Sequence, residues 1–388
     1  MPVIEYARKQ GHYVITCDNR PDNPGHKLAD KYYNISTTDF EDVLKIAKKE
    51  KIDGILAYGT DPAAPTAAYV AEKMNLPGNS FDSVITLSDK GRFRKFLSEK
   101  KYPVPEFGVF NCYEDARIFF KCLNKNVYVK PVDSSGSKGI TRLKPGEDMG
   151  DAYNYALTFS RRKEVIIEEE VEKKGPNIHG EAFILNGELV FMLLGDQYFS
   201  KVNVCAPIST TVPGLFHRDI METIRSQLAE IIKLTGIKTG GLNIEIIRAK
   251  NDRLYFMEIG ARNGGNYMPE LVTIASGFNM AAANVNAVMN DPVDTSFHDP
   301  GDYYYTQLIL HSHCNGILQG YNLNGQFAGN IRFRKEYYNK GDYVHEYKDS
   351  RFVAGVLLFE FNDKSACGNF INFIQNNNLM NIVNQKHD

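Results

Sequence analysis

Two carboxylates stand where a sheet interior has no use for them. In GGLNIEIIRAKNDRLYFMEIGARNGG, Glu245 and Glu258 interrupt two otherwise apolar strands, Leu242 to Ala249 and Leu254 to Ile259, which a turn over 250–253 joins into a hairpin. With Ala249 opposite Leu254, counting back along both strands sets Glu245 opposite Glu258, side chains about 5 Å apart on one face. Like charges at that spacing repel, so one carboxyl is protonated, a basic side chain lies between them, or both share a divalent cation. Magnesium is typically held by one or two carboxylates plus substrate phosphates, which makes the pair a candidate site for a nucleotide-bound ion. The alternative, a solvated face, fits the apolar neighbours IEII and FMEI poorly. Four residues beyond Glu258, Arg262 is placed to clamp a carboxylate or a developing phosphoryl charge, and Gly264 and Gly265 let backbone or ligand atoms approach closely.

A second group of residues suits phosphate. VYVKPVDSSGSKGI, residues 127–140, puts Lys130 at a strand end ahead of a loop rich in glycine and serine. Backbone N–H groups in such a loop can form an anion-binding concavity, and the lysine reaches phosphate oxygens as a point charge. It is not a Walker A sequence, and an ordinary hairpin loop has the same composition. EVIIEEEVEKKGPNIHGEAF then ends an apolar strand in Glu168, Glu169 and Glu170 and runs on to His179 and Glu181. Alone, an acidic run is a solvated face. Its place in the order of lysine strand, glycine loop, acidic strand end and carboxylate hairpin is what makes it informative.

These residues need a scaffold, and the chain supplies one. Over 2–80, helical and strand patterns alternate (PVIEYARKQ, HYVITCD, FEDVLKIAKKE, IDGILAY, TAAYVAEKM), which predicts parallel strands with crossover helices. Asp18 and Asp61 follow two of those strands, where open α/β sheets bind ligands and where an acid also simply caps a helix. DKGRFRKFLSEKK, 89–101, is a basic helix with Phe93, Phe96 and Leu97 on one face. Strands follow to 195, with Asn186-Gly187 as a hairpin turn. An amphipathic helix spans 218–235, with Gly236 at its end, and a last helix lies near 365–375.

Composition narrows the classes of function. With 388 residues, 43% hydrophobic and 24% charged, the chain can bury two or three cores. A formal net charge of -2 provides no overall basic field for nucleic acid or an acidic membrane surface. Six cysteines lie far apart without a C-x-x-C spacing, against a zinc site and against a disulfide-stapled domain. No apolar run is long enough to cross a bilayer and the first residues lack a signal-peptide core, so a cytoplasmic location is expected.

With LSDK at 87–90 before it, the order of these motifs resembles the ATP-grasp superfamily over essentially the whole chain, and most closely its carboxylate-amine ligase branch, which includes L-amino acid ligases and halves of the carbamoyl-phosphate synthetase large chain. The resemblance implies an α/β plus α+β fold: an amino-terminal Rossmann-like domain over 1–88, ATP-grasp lobes over 89–300 with the small lobe at about 120–195, and a carboxy-terminal part, 301–388, completing the large lobe. It also implies ATP and Mg2+ or Mn2+ as cofactors. Lys90 and Lys130 match phosphate-contacting lysines. Asp133 to Gly139, with Ser134, Ser135, Gly136, Ser137, Lys138 and Gly139, match the loop over the triphosphate. Glu168 corresponds to the acid at the adenine pocket, Glu169 and Val171 to the main chain at the adenine edge, and His179 to the ribose contact with Glu181 as its alternative. Glu245 and Glu258 match the metal ligands, and Arg262 and Lys130 the catalytic cations.

Three features depart from the pattern. Many relatives carry Asn where Gly260 stands. The chain opens in the helix that usually follows a first strand and glycine turn, so the first strand of the Rossmann-like domain is absent from the sequence, as a misassigned or shortened start would leave it. The last 80 or so residues hold no second copy of the motif series, which excludes a complete two-half synthetase. The expected reaction joins a carboxylate to an amine through an acyl phosphate, with small-molecule substrates and a homodimer as assembly. Its rivals are bicarbonate or purine-precursor chemistry on the same fold, and an ATP-binding module without turnover. A nicotinamide-dependent oxidoreductase is disfavoured by the absence of G-x-G-x-x-G.

Overall fold

The computed structural model describes residues 1–201, 203–215, 218–323 and 325–383. It opens with α1 (Pro2–Lys9), β1 (Ile15–Cys17), β2 (Lys31–Tyr33), α2 (Phe40–Glu50), α3 (Ala64–Met74), α4 (Phe81–Ser88) and α5 (Lys90–Glu99). The helix starts follow from short polar side chains: Asp39, Ser80 and Asp89 each accept a backbone N–H three residues on, at the heads of α2, α4 and α5. β1 and β2 pair in parallel, as the alternating pattern predicts. The third predicted strand, within 52–58, does not join them. A strand needs a neighbour about 4.8 Å away to take its N–H and C=O groups. Here a cavity of about 460 Å3 has Ile15 and Cys17 of β1 and Ile55 and Ala57 of this segment among its walls.

Next come β3 (Phe107–Phe110), α6 (Tyr113–Leu123), β4 (Val127–Pro131), β5 (Thr141–Leu143), α7 (Gly150–Phe159) and β6 (Val165–Glu169). Their strands form an antiparallel sheet in the order β3-β6-β4-β5. Helices α6 and α7 cover one face, where Ala116, Phe120, Ala152 and Ala156 pack on Val127, Val129, Val165 and Ile167. The period of two along a strand leaves Tyr128, Lys130 and Glu168 on the other face.

The remaining elements are β7 (Asn177–Leu185), β8 (Glu188–Phe199), β9 (Pro207–Val212), α8 (Arg218–Thr235), β10 (Gly240–Arg248), β11 (Leu254–Gly260), α9 (Met268–Ser276), α10 (Met280–Met289), β12 (Tyr304–Leu310), β13 (Gly316–Tyr321), β14 (Ile331–Glu336), β15 (Tyr343–Val344), β16 (Gly355–Phe361), α11 (Lys364–Asn376) and β17 (Met380–Val383). Eight strands make one sheet in the order β11-β10-β7-β8-β9-β12-β16-β14, and β15-β13-β17 make a small separate one. Asn186 and Gly187, both at positive φ, form the tight turn between β7 and β8 that their dipeptide predicts. Helix α8 lays Ile224, Leu228, Ile231 and Ile232 into the same core as Leu242, Ile244 and Ile246 of β10. Strands β12, β14 and β16 extend this sheet; of the carboxy-terminal segment 301–388, residues 324 and 384–388 lie outside the described residues. No single helix among the described residues is long and apolar enough to cross a membrane.

Candidate nucleotide and metal site

A cleft of about 770 Å3 is walled on one side by the four-stranded sheet and on the other by the eight-stranded sheet. Its floor begins with the hairpin β10–β11. Alternation along β10 sends Leu242, Ile244 and Ile246 into the core and turns Asn243, Glu245 and Ile247 the other way. Glu245 pairs with Glu258 as the sequence predicts, but by a different route. The turn is one residue longer than counted: Leu254 faces Arg248, not Ala249. On that register Glu245 would meet Met257, leaving Glu258 on the core face. A β-bulge restores the pairing: Phe256 faces Ile246 and Glu258 faces Glu245, with Met257 as the extra residue, and both Met257 and Glu258 line the cleft.

The bulge is held by a residue that sequence reasoning missed. Arg94 of α5 is 1% exposed; it donates from Nη1 to the Phe256 carbonyl at 3.3 Å and from Nη2 to the Met257 carbonyl at 2.8 Å, while its Nε lies 2.6 Å from Glu168 Oε1. Its one signal in the sequence is position, next to Phe93 and three residues before Leu97 on the apolar stripe. Glu168 also receives Lys130 Nζ at 2.6 Å on Oε2. Burial pushes the Glu168 carboxyl up, but Arg94 and Lys130 outweigh it and hold it at about 2. Glu168 thus lines the cleft as a buried anion that orients Lys130.

The Glu245 carboxyl is the opposite case. Burial, then the charge of Glu258, push it up to about 7, against the pull of Arg262, Lys90 and Lys130. Among the described residues the ion pairs within 4 Å of the two acids go to Glu258: Lys90 Nζ lies 3.8 Å from its Oε2 and Arg262 Nη2 lies 3.7 Å from its Oε1. Two facing acids whose mutual repulsion the surrounding cations do not fully offset fit the demand of a hard divalent ion for oxygen ligands, and Glu245 and Glu258 would hold it.

Around the pair, Lys90 heads α5 and donates to the Ser134 carbonyl at 2.8 Å. Ser134, Ser135, Gly136, Ser137 and Lys138 line the cleft. Burial lowers the Lys138 ammonium from its ordinary value, with Asp349 opposing. Gly139 does not line the cleft; at φ +73 it closes the loop against Phe159 and Pro131, where a Cβ would meet a ring carbon of Phe159 at 2.9 Å and Pro131 Cδ at 3.2 Å. Glu169 and Val171 are in the lining. The Glu169 N–H already donates to the Glu106 carbonyl at 2.8 Å, so only its carbonyl is left for a base edge, and its carboxylate binds Lys125 at 2.6 Å.

The two residues expected at the ribose are both bonded within the protein. His179 does line the cleft, but both ring nitrogens have protein partners: Asn243 Nδ2, which can only donate, at 3.0 Å from Nε2, and Thr210 Oγ1 at 3.0 Å from Nδ1. Burial, then Arg262, hold its pKa at about 4, so the ring is a neutral strut. Glu181, the alternative ribose contact, is fully buried and absent from the lining. It accepts from Asn263 Nδ2 at 2.7 Å, Gly264 N–H at 2.7 Å and Asn243 Nδ2 at 3.1 Å, and so ties down the loop after β11. Nothing in the sequence distinguishes this inward acid from a solvated one, because its partners come from β10 and the far end of the hairpin.

Arg262 is 8% exposed and is gripped by Asp61, which accepts Nε on Oδ1 at 2.7 Å and Nη2 on Oδ2. Burial works against both charges, but each partner more than restores the other: Asp61 keeps the Arg262 guanidinium charged, and Arg262 holds the Asp61 carboxyl below its ordinary value.

No family model matches the chain. In sequence it is 23% identical over 263 residues to the carbamoyl phosphate synthase large chain of Thermotoga petrophila, covering 66% of this chain and 23% of that one. It is 27% identical over 266 residues to the same protein of Clostridium botulinum, covering 67% and 24%. It therefore spans about a quarter of those relatives. It is also 22% identical over 298 residues to the formate-dependent phosphoribosylglycinamide formyltransferase of Prochlorococcus marinus, covering 74% and 73%. Among solved structures, the L-amino acid ligase of Bacillus licheniformis superposes with a TM-score of 0.80 at 18% identity, covering 99% of this chain and 95% of that one. The N5-carboxyaminoimidazole synthetase of Staphylococcus aureus, complexed with ADP, superposes with a TM-score of 0.73 at 16% identity, covering 96% and 92%. These likenesses in structure show that the chain has the ATP-grasp fold, with the motifs expected from its sequence gathered around one cleft.

Proposed function

We propose that this chain is an ATP- and magnesium-dependent ligase that joins a carboxylate to an amine through an acyl phosphate, releasing ADP and phosphate. The observation that carries the reading is the facing pair Glu245 and Glu258 on the floor of the cleft, with Lys90, Lys130 and Arg262 around it. Bound there, magnesium would supply charge neutralisation to the triphosphate. The chain's own groups do the rest. Lys90 and Lys130 supply point charges to phosphate oxygens, and the loop 133–139 excludes water that would hydrolyse the acyl phosphate. Arg262 faces the charge that develops as a carboxylate oxygen attacks the terminal phosphorus and ADP leaves. An amine then attacks the acyl carbon, phosphate departs, and the amine loses a proton. In this reading residues 1–88 help enclose the substrates, 89–300 grip the nucleotide and 301–388 complete the large lobe, and the chain works as a homodimer in the cytoplasm. Superposition on an L-amino acid ligase over nearly the whole chain supports the choice of amide formation.

The test is ADP release across an array of amino acids, small carboxylates and bicarbonate, scored in matched acid and amine pairs. Release that requires both an acid and an amine is expected; release with bicarbonate alone would move the chain to carboxylation. In Glu258→Gln, turnover should fall at least 100-fold with an unchanged melting temperature, and near wild-type activity would refute the metal assignment.

A further inference from the structure

Asp61 belongs to the amino-terminal region, 201 residues before the arginine it holds. As the first residue of a short helical turn, Asp61–Ala63, it has an ordinary local role available. Instead its carboxylate crosses to the hairpin and takes two N–H groups of Arg262 in one plane. A two-point grip of this kind fixes a guanidinium in position and orientation, which a single contact does not. The third donor group is fixed as well, because Arg262 Nη1 donates to the Asn263 carbonyl at 2.9 Å. The same carboxylate accounts for the departure at position 260. A Cβ built on Gly260 would stand 2.8 Å from Asp61 Oδ1 and 3.2 Å from Arg262 Nε. The space that a side chain at 260 would need is taken by the ion pair.

We propose that Asp61 is a positioning residue of the site: the amino-terminal region reaches into the cleft and sets the orientation of Arg262, and Gly260 keeps the room for it. The inference rests on the reading of Arg262 as the group that faces the transferring phosphoryl. Asp61 lines the cleft beside Lys90, Glu258 and Arg262, so the chemistry is incomplete until the amino-terminal region is docked.

The test uses the full chain and two titrations, MgADP alone and MgADP with aluminium fluoride, a mimic of the phosphoryl group in transfer. The wild-type chain is expected to bind ADP more tightly when fluoride is present. Asp61→Asn keeps the shape but not the charge. It should leave the affinity for MgADP within about 2-fold, lose at least 10-fold of the fluoride increment, and lower kcat about 100-fold with KM for ATP unchanged, as a misaimed catalytic group does. Arg262→Gln should lose the same increment, and the double variant should be no worse than Arg262→Gln alone. If Arg262→Gln loses the increment while Asp61→Asn retains or enlarges it, Asp61 is a bystander or a competitor and the proposal is wrong. An increment absent from the wild-type chain, or retained in Arg262→Gln, overturns the reading of Arg262 itself. Should Asp61→Asn fail to fold, Gly260→Ala, which keeps the acid and displaces the pair, should give the same loss; retention there overturns the proposal.

Discussion

At the scale of single residues, the cleft sorts its acids by what surrounds them. Glu168, Glu181 and Glu245 are all glutamates within strands, yet they have three different fates: an anion locked between two cations, a buried clasp on a loop, and an acid raised by burial and by its twin. The first yields a signed prediction. The Glu168 carboxyl is held at about 2 against an ordinary 4.5, so its contribution to stability is fully present above about pH 4.5 and is lost as the pH falls towards 2. Glu168→Gln should cost about 3 kcal/mol at neutral pH in urea denaturation, and the gap to the wild type should close on acidification through that window. A gap independent of pH would show that packing, not charge, makes the difference.

At the scale of elements, one extra residue decides the face on which Glu258 points. The bulge at Met257 leaves Phe256 and Met257 carbonyls to Arg94, whose third nitrogen reaches Glu168 on the opposite sheet. Arg94 therefore joins α5, the hairpin and the four-stranded sheet at one point. Replacing it by Met removes a donor from two carbonyls and takes one of its two cations from the buried Glu168, leaving only Lys130. The expected cost is about 3–5 kcal/mol, measured by chemical denaturation, together with weakened manganese binding in titration calorimetry. Arg94→Lys should recover little of this, since a single ammonium cannot span three acceptors in one plane.

At the scale of the whole molecule, parts distant in sequence close on the phosphate loop. The Ser350 N–H donates to the Gly136 carbonyl at 3.0 Å, and the Arg351 guanidinium lies 4.8 Å from the ring centre of Phe159 on α7. The carboxy-terminal segment thus latches the loop that the sequence presents as free. Gly136 has φ +65, and a Cβ there would come within 2.8 Å of Ser350 Cβ. Gly136→Ala should cost about 1–2 kcal/mol locally. Hydrogen exchange should accelerate over residues 133–139 with little change in the melting temperature, and an unaltered exchange rate would argue against the latch.

What the sequence determined by itself was what local physics can carry. The helices at 90–99 and 218–235 and the Asn186-Gly187 turn follow from period, cap and turn chemistry, whereas the pairing of Glu245 with Glu258, though expected, is reached through a bulge that the count did not contain. The order of the motifs along the chain was enough to point to the superfamily. Tertiary structure decided the rest. Whether 52–58 finds a ladder partner, whether His179 and Glu181 face the cleft or the protein, whether a basic helix buries one arginine, and which acid holds Arg262 depend on atoms supplied from 30 to 200 residues away. A desolvated charge takes its meaning from those partners alone, and no local pattern names them.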